Sequence, residues 1–317
     1  MKNEFFSGAI QEKKYERPKG LDVRVRNFYF RHAEKASGEV GTVSDGISRS
    51  AISLGLEGGR MNTLKLSSQL PEPADKYHIG WSGNVRTLET MDALTLDYDG
   101  KEQISEPVLF PELLDSIRPK EWDKLYISIW EGNKSKIMQE KSIDPAKFSK
   151  LSPSQQAEIA EGAEEPVMNE WIDNPESELA KLYPVETAAT HIAVLVKQDL
   201  DLTAKLDSGT KLDQFRGTHK TITEPLLMKI IILENGKKPQ KLEDIGGCMD
   251  LNDGWELDVR TDDKGEITYK FIMYRAVHDT GGGVTYLTKE FSVDVNELNR
   301  LGEIGLKLKE QIKKNNE

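Results

Sequence analysis

The strongest constraint on the fold of this chain is an alternation of segments with strand character and segments with helix character. An alternating and then wholly apolar segment, LDVRVRNFYF (21–30), predicts a strand that enters a core. KYHIGWS (76–82) predicts a short strand, GNVRTLETMDAL (83–94) a helix, and LDQFRGTH (212–219) a further strand. Strands that alternate with helices form mostly parallel sheets covered on both faces. The sequence therefore predicts an α/β fold, a three-layer α/β/α sandwich with a mostly parallel central sheet.

The domain organisation is predicted from a change of character along the chain. Residues 1–20 are polar and are expected to form an N-terminal arm. From about 119 to 205 helical spacing with charged residues dominates, and acidic residues outnumber lysines. We therefore predict one domain over residues 1–317, with a helical insertion at about 119–205.

Turn signals and periodicity predict the remaining elements. Thr221 and Glu224 have the spacing of a capping box, and Pro225 follows in the first turn of a helix predicted over 221–236. Alternating flanks around DDKG predict a hairpin at 255–277. Two further helices are predicted at 45–60 and 295–314, and an extended segment at 103–113.

The composition limits the classes of partner and the compartment. Hydrophobic residues make up 37% of the chain and charged residues 31%, which is typical of a soluble globular protein. The formal net charge of -11 repels polyanions, so no nucleic-acid and no membrane partner is expected. The N-terminus does not resemble a signal peptide, and the single cysteine, Cys248, cannot form an intrachain disulfide. We therefore expect a cytoplasmic protein.

Each of the three predicted parallel strands leads to a side chain that suits anion binding. Arg31 and His32 follow the first strand, His219 ends the last one, and Arg86 lies one turn into the helix after KYHIGWS. Because ligands bind beyond the carboxyl ends of such strands, these groups are expected to share one pocket. Guanidinium groups hold a phosphoryl group with bidentate hydrogen bonds, and a neutral histidine beside them can attack phosphorus.

These segments resemble three motifs of the histidine phosphatase superfamily, whose fold is phosphoglycerate mutase-like. FYFRHAEK, around His32, resembles the strand followed by Arg-His-Gly, in the variant with alanine in place of glycine. SGNVRTLET (82–90) resembles the family's S-x-x-x-R-T-x-x-T segment, and RGTHKTITEPLL, around His219, resembles its second-histidine segment. The order and spacing of the motifs agree, whereas residues 119–205 match nothing in the family.

The resemblance implies a role for each matching residue. His32 corresponds to the phosphorylated nucleophile, and Arg31 and Arg86 correspond to the phosphate clamps. His219 corresponds to the second histidine, which contacts the phosphoryl group. Ser37 is a further candidate for a hydroxyl contact with phosphate.

The general acid follows one of two family patterns. One branch of the family places an aspartate directly after the second histidine, but Lys220 occupies that position here. The other branch uses a glutamate in the first half of the chain, for which Glu112 is the candidate and Glu106 and Asp115 are the alternatives. Protonation of the leaving oxygen by such an acid is commonly worth about 10²- to 10⁴-fold in rate.

The resemblance implies a phosphomonoesterase that forms a phosphohistidine and acts on a small phosphorylated substrate. No cofactor and no metal are expected, because the arginines supply the positive charge. Two alternatives stay open: a phosphomutase on the same residues, and a non-catalytic phosphate-binding or scaffold protein. The substrate is expected to be selected largely by the insertion at 119–205, and the sequence predicts no oligomeric state.

Overall fold

A computed structural model describes residues 18–31, 63–83, 85–110, 113, 118–278 and 284–316 of the protein. The strands of these residues are β1 (Arg24–Arg31), β2 (Lys76–Trp81), β3 (Glu102–Gln103), β4 (Val108–Leu109), β5 (Lys211–Thr218), β6 (Ile231–Ile232), β7 (Gly254–Thr261), β8 (Ile267–His278) and β9 (Val284–Val293). The helices are α1 (Val85–Leu94), α2 (Lys120–Glu140), α3 (Pro153–Ile172), α4 (Glu178–Leu182), α5 (Val185–Leu202), α6 (Glu224–Ile230) and α7 (Val295–Asn316). Short 3₁₀ helices lie at Leu96–Tyr98, Pro145–Lys150, Thr203–Lys205 and Leu242–Ile245.

The strands form a single mixed sheet in the order β3-β2-β5-β1-β7-β8-β9-β6, with β4 also paired to β2. The pairs β2–β5 and β5–β1 are parallel, whereas β7 and β9 run antiparallel to their neighbours. The carboxyl ends of β2, β5 and β1 therefore lie side by side. The predicted α/β fold with a mostly parallel sheet is confirmed, and so is the β7–β8 hairpin.

The alternation of side chains along β1 separates two hydrophobic cores. Phe28 and Phe30 pack in one cluster with Met91 of α1, and the rings of Phe28 and Phe215 stack at 4.8 Å. Tyr29 faces the other cluster and stacks on Trp255 at 4.0 Å. Successive side chains of a strand point to opposite faces, so this pattern requires a helical layer on each side of the sheet.

The helices between residues 120 and 202 pack into the same core as the sheet. Trp122 of α2 and Trp171 of α3 meet edge to face at 4.8 Å, and both belong to the cluster that contains Tyr29. The indole N–H of Trp171 donates to the carbonyl of Tyr183 at 2.7 Å. The predicted insertion is therefore helical, while its boundaries as part of a single domain stay a prediction.

The segment after β5 differs from the prediction. The helix expected over 221–236 is only α6, and Ile231 and Ile232 instead pair with β9. The N-cap residue is Thr223, whose side chain makes no capping hydrogen bond, so the predicted capping box of Thr221 and Glu224 was wrong. β-Branched isoleucines fit a pleated strand well, and a pairing partner distant in the sequence allows the chain to leave the helix.

Two predicted elements fall outside the described residues. These are the helix at 45–60 and most of the N-terminal arm at 1–20. Within the described residues, no helix has both the length and the apolar composition that a bilayer crossing requires.

Candidate functional site

The ends of three neighbouring strands bring chemical groups together at one edge of the sheet. Arg31 is the last residue of β1, His219 directly follows β5, and Ser82 directly follows β2. Ser82 and His219 are both buried, and Ser82 Oγ lies 2.6 Å from His219 Nε2. The serine hydroxyl therefore fixes the orientation of the imidazole ring at this edge.

The helix that carries Arg86 begins at the same edge. By its backbone, Arg86 belongs to the first turn of α1, directly after β2. The hydroxyl of the next residue, Thr87, lies 3.1 Å from the hydroxyl of Ser82. At Gly217, a β-carbon would lie only 2.7 Å from the carbonyl oxygen of Thr87. Gly217 therefore permits the close approach of α1 to the end of β5.

We expect Gly217→Ala to destabilise the protein by about 1–3 kcal/mol, because the added methyl group meets backbone atoms that cannot rotate away. Urea denaturation would measure the loss. The matched control is Gly132→Ala in α2, where nothing lies within 4 Å of the added carbon. Alanine favours a helix over glycine by about 1 kcal/mol, so the control should keep or gain stability. Equal stabilities of the two variants would contradict the close approach.

Several predicted site residues lie outside the described residues. They are the nucleophile candidate His32, the hydroxyl candidate Ser37, and the acid candidates Glu112 and Asp115. Glu106, the other alternative acid, is described and is exposed. The roles assigned to these residues therefore stay predictions.

The side chain of Arg31 is buried and holds a carboxylate that the sequence did not predict. Its Nη2 donates to Glu161 Oε1 at 2.8 Å and its Nη1 donates to Glu161 Oε2 at 3.2 Å. Nη1 also donates to the carbonyl of Met249 at 2.9 Å. Glu161 lies on α3, within the insertion, so the predicted phosphate clamp forms a bidentate ion pair with the insertion.

Lys220 completes this cluster. Its Nζ donates to Glu161 Oε2 at 2.6 Å and lies 3.4 Å from Glu164 Oε2, while Tyr126 donates to Glu164 Oε1 at 3.0 Å. Glu161 and Glu164 are three residues apart on α3 and share one helix face. Acids at this spacing in a charged insertion look like a solvated helix face, so the sequence carried no signal for their pairing.

The charges of the cluster keep one another ionised. Burial would raise the pKa of Glu161, but the charges and hydrogen bonds of Arg31 and Lys220 lower it to about 2. Burial and the charge of Arg31 would lower the pKa of Lys220, yet Glu164 and Glu161 raise it overall. Two buried cations therefore face an ionised Glu161 at neutral pH.

A buried carboxyl group, Glu224, links this cluster to α6. The N–H of Met249 donates to Glu224 Oε1 at 3.2 Å, and the carbonyl of the same residue accepts from Arg31. Burial raises the pKa of Glu224. Among the described residues, three buried atoms here have no hydrogen-bond partner: Arg31 Nε, Thr218 Oγ1 and Glu224 Oε2.

These groups give the edge of the sheet the chemistry of an anion site. Arg31 and Lys220 are almost completely buried, so little water screens their attraction for an anion, and in this structure both donate to the carboxylate of Glu161. In the part of the chain that the structure describes, no group of three or more His, Cys, Asp or Glu side chains is arranged to hold a metal ion.

Comparisons with known proteins give only a weak likeness. No protein-family model matches the chain, and no curated protein matches it. Among solved structures, the apo form of Hafnia alvei phytase aligns with a TM-score of 0.43 at 8% identity, over 91% of this chain and 98% of that chain. The same protein in complex with tartrate gives a TM-score of 0.41 at 11% identity over the same shares. Its complex with myo-inositol hexakis sulphate gives a TM-score of 0.40 at 10% identity, again over 91% of this chain and 98% of that chain.

Proposed function

We propose that the protein is a phosphomonoesterase whose site lies at the shared carboxyl ends of β2, β5 and β1. The proposal is supported by one observation: the parallel neighbours β1 and β5 place Arg31 and His219 at the same edge of the sheet. Lys220, directly after His219, adds a second buried cation. Each close pair of a cation and a phosphate contributes roughly 4 kcal/mol of Coulomb attraction at an intermediate dielectric.

The proposed reaction has two displacement steps at phosphorus. An imidazole nitrogen of His32 attacks phosphorus, and the bond between phosphorus and the leaving oxygen breaks. The leaving oxygen takes a proton from the general acid, for which Glu112 is the candidate. Water then attacks the phosphohistidine and gives a proton to the carboxylate left by the first step, which releases inorganic phosphate, restores the neutral imidazole and reprotonates the acid. Arg31 and Arg86 neutralise the transferred group in both steps.

A panel of phosphomonoesters tests the proposal directly. The full-length protein is incubated with each ester without added metal, and the release of inorganic phosphate is measured. Release from at least one ester supports a hydrolase, and isomerisation without release would support the phosphomutase instead. If the protein neither releases phosphate nor isomerises any ester, both the hydrolase and the phosphomutase are contradicted.

The non-catalytic alternative also has a specific observation in its favour. Both terminal nitrogens of Arg31 donate to Glu161, so the clamp is already paired with a carboxylate. A protein that binds inorganic phosphate but turns over no ester would fit this alternative. Binding without turnover therefore separates a phosphate-binding protein from an enzyme.

We expect Glu112→Gln to slow the hydrolysis of an alkyl phosphate by about 10²-fold or more, and to spare an aryl phosphate. An alkoxide is a poor leaving group and must be protonated as it leaves, whereas an activated phenolate can leave with little protonation. The measurement compares kcat on both substrates for the variant and the unmodified protein. The same assay on Glu106→Gln tests the alternative acid, which is exposed.

A uniform loss on both substrates would mean that Glu112 positions the site without donating a proton. If Glu112→Gln loses nothing and Glu106→Gln shows the selective loss, the acid is Glu106. Selective loss in neither variant would leave Asp115 as the remaining candidate.

A further inference from the structure

One carboxylate of the insertion occupies the hydrogen-bond donors that an external anion would need. Glu161 accepts from both terminal nitrogens of Arg31 and from Nζ of Lys220. The side chains of Arg31 and Lys220 are only 8% and 4% exposed, whereas that of Glu161 is 29% exposed. The cations are therefore fixed in the interior, and the carboxylate reaches them from the solvent side.

Carboxylate and phosphate are alternatives for this pair of cations. The fork of a guanidinium fits two oxygens of either group, and an ammonium can add a third contact. Two buried cations without a counter-charge are costly, so some anion must accompany them. In this structure Glu161 contacts both cations, with one oxygen on each terminal nitrogen of Arg31, and Glu164 lies 3.4 Å from Lys220 as the second counter-charge.

We propose that Glu161 is a built-in occupant of the anion site, which phosphate or the phosphoryl group of a substrate must displace. The inference rests on the phosphate site of the proposed function and adds a residue that sets its affinity. Within the described residues, Glu161 makes its side-chain hydrogen bonds only to Arg31 and Lys220. A rotation of one partly exposed side chain is therefore enough to open the site.

The rest of α3 need not move when Glu161 leaves. Glu164 accepts from Tyr126 of α2, and Trp130 and Asn133 of α2 donate to the carbonyls of Ala160 and Ala163. These contacts hold α3 against α2 independently of the two cations. An incoming phosphate monoanion replaces the single charge of Glu161, and Glu164 stays beside Lys220 as the second counter-charge, so the cations stay neutralised.

The test is the affinity for inorganic phosphate, measured by isothermal titration calorimetry on the full chain. Glu161→Gln keeps the size of the side chain and removes its charge, so phosphate should bind at least about tenfold more tightly. The matched control is Glu164→Gln, which removes the same charge one turn further along the same helix. Its Kd should change by less than about threefold, because Glu164 contacts neither terminal nitrogen of Arg31 and accepts from Tyr126 on α2 instead.

An unchanged or weaker affinity of Glu161→Gln would overturn the inference. So would equal gains in both variants, because these would reflect net charge and not displacement. If Glu161→Gln fails to fold in chloride, phosphate at the same ionic strength should restore its circular dichroism spectrum, since the anion replaces the lost charge. Absence of that rescue would equally overturn the inference.

The Kd for inorganic phosphate and the rate of ester hydrolysis are measured independently, so the two proposals can fail separately. Tighter phosphate binding by Glu161→Gln, together with no hydrolysis of any ester, would support the inference and reject the hydrolase. Hydrolysis by the unmodified protein with no change of Kd in the variant would support the hydrolase and reject the inference.

Discussion

His32→Ala is expected to lower kcat for phosphomonoesters by on the order of 10³-fold or more, because it removes the nitrogen that attacks phosphorus. Two measurements check this. Steady-state assays give kcat for the variant, and mass analysis of a rapidly quenched reaction should locate an acid-labile phosphate on His32 of the unmodified protein. The position directly after β1 and Arg31 is the reason for choosing this histidine.

The matched control is His191→Ala, which removes a half-buried histidine of α5. It should keep kcat close to that of the unmodified protein. Normal turnover by His32→Ala, or phosphate found on another residue, would contradict the mechanism. Loss of activity in both variants, together with a changed circular dichroism spectrum, would point to damage to the fold instead.

Asp213→Ala is expected to lower the free energy of unfolding by about 3–5 kcal/mol, because it leaves a buried guanidinium without its counter-charge. Asp213 Oδ1 accepts from Arg26 Nε at 2.6 Å, and both side chains are only 1% exposed. Oδ2 accepts from the hydroxyl of Tyr98 and from the N–H of Ala74. Urea denaturation followed by circular dichroism would measure the change.

The control for this prediction is an ion pair of similar length at the surface. Glu102 and Lys76 lie 2.6 Å apart, but their side chains are 62% and 40% exposed. Solvent screens such a pair, so Glu102→Ala should cost less than about 1 kcal/mol. A loss of similar size in the two variants would show that burial of the Arg26–Asp213 pair does not decide its contribution.

The elements that the sequence predicted best are those whose patterns are local. β1 and β5 are continuous buried segments and α1 has apolar residues at helical spacing, so each could be recognised from its own residues. Local patterns predicted no strand at β9 and a helix that is longer than α6. The second error has a long-range cause, because Ile231 pairs with Val293, more than sixty positions away. β9, in contrast, pairs chiefly with its neighbour β8.

In the candidate site, too, local patterns predicted some features, whereas others depend on the tertiary structure. The sequence alone placed Arg31 and His219 at the ends of two strands, because strand boundaries follow from the pattern of apolar residues. Only the tertiary structure decided that those strands are neighbours, and that Glu161 reaches Arg31 and Lys220. Helical spacing determines which acids share a face of α3. The packing of the insertion on the sheet determines which residues that face contacts. Because this packing depends on contacts summed over many distant residues, no local pattern encodes it.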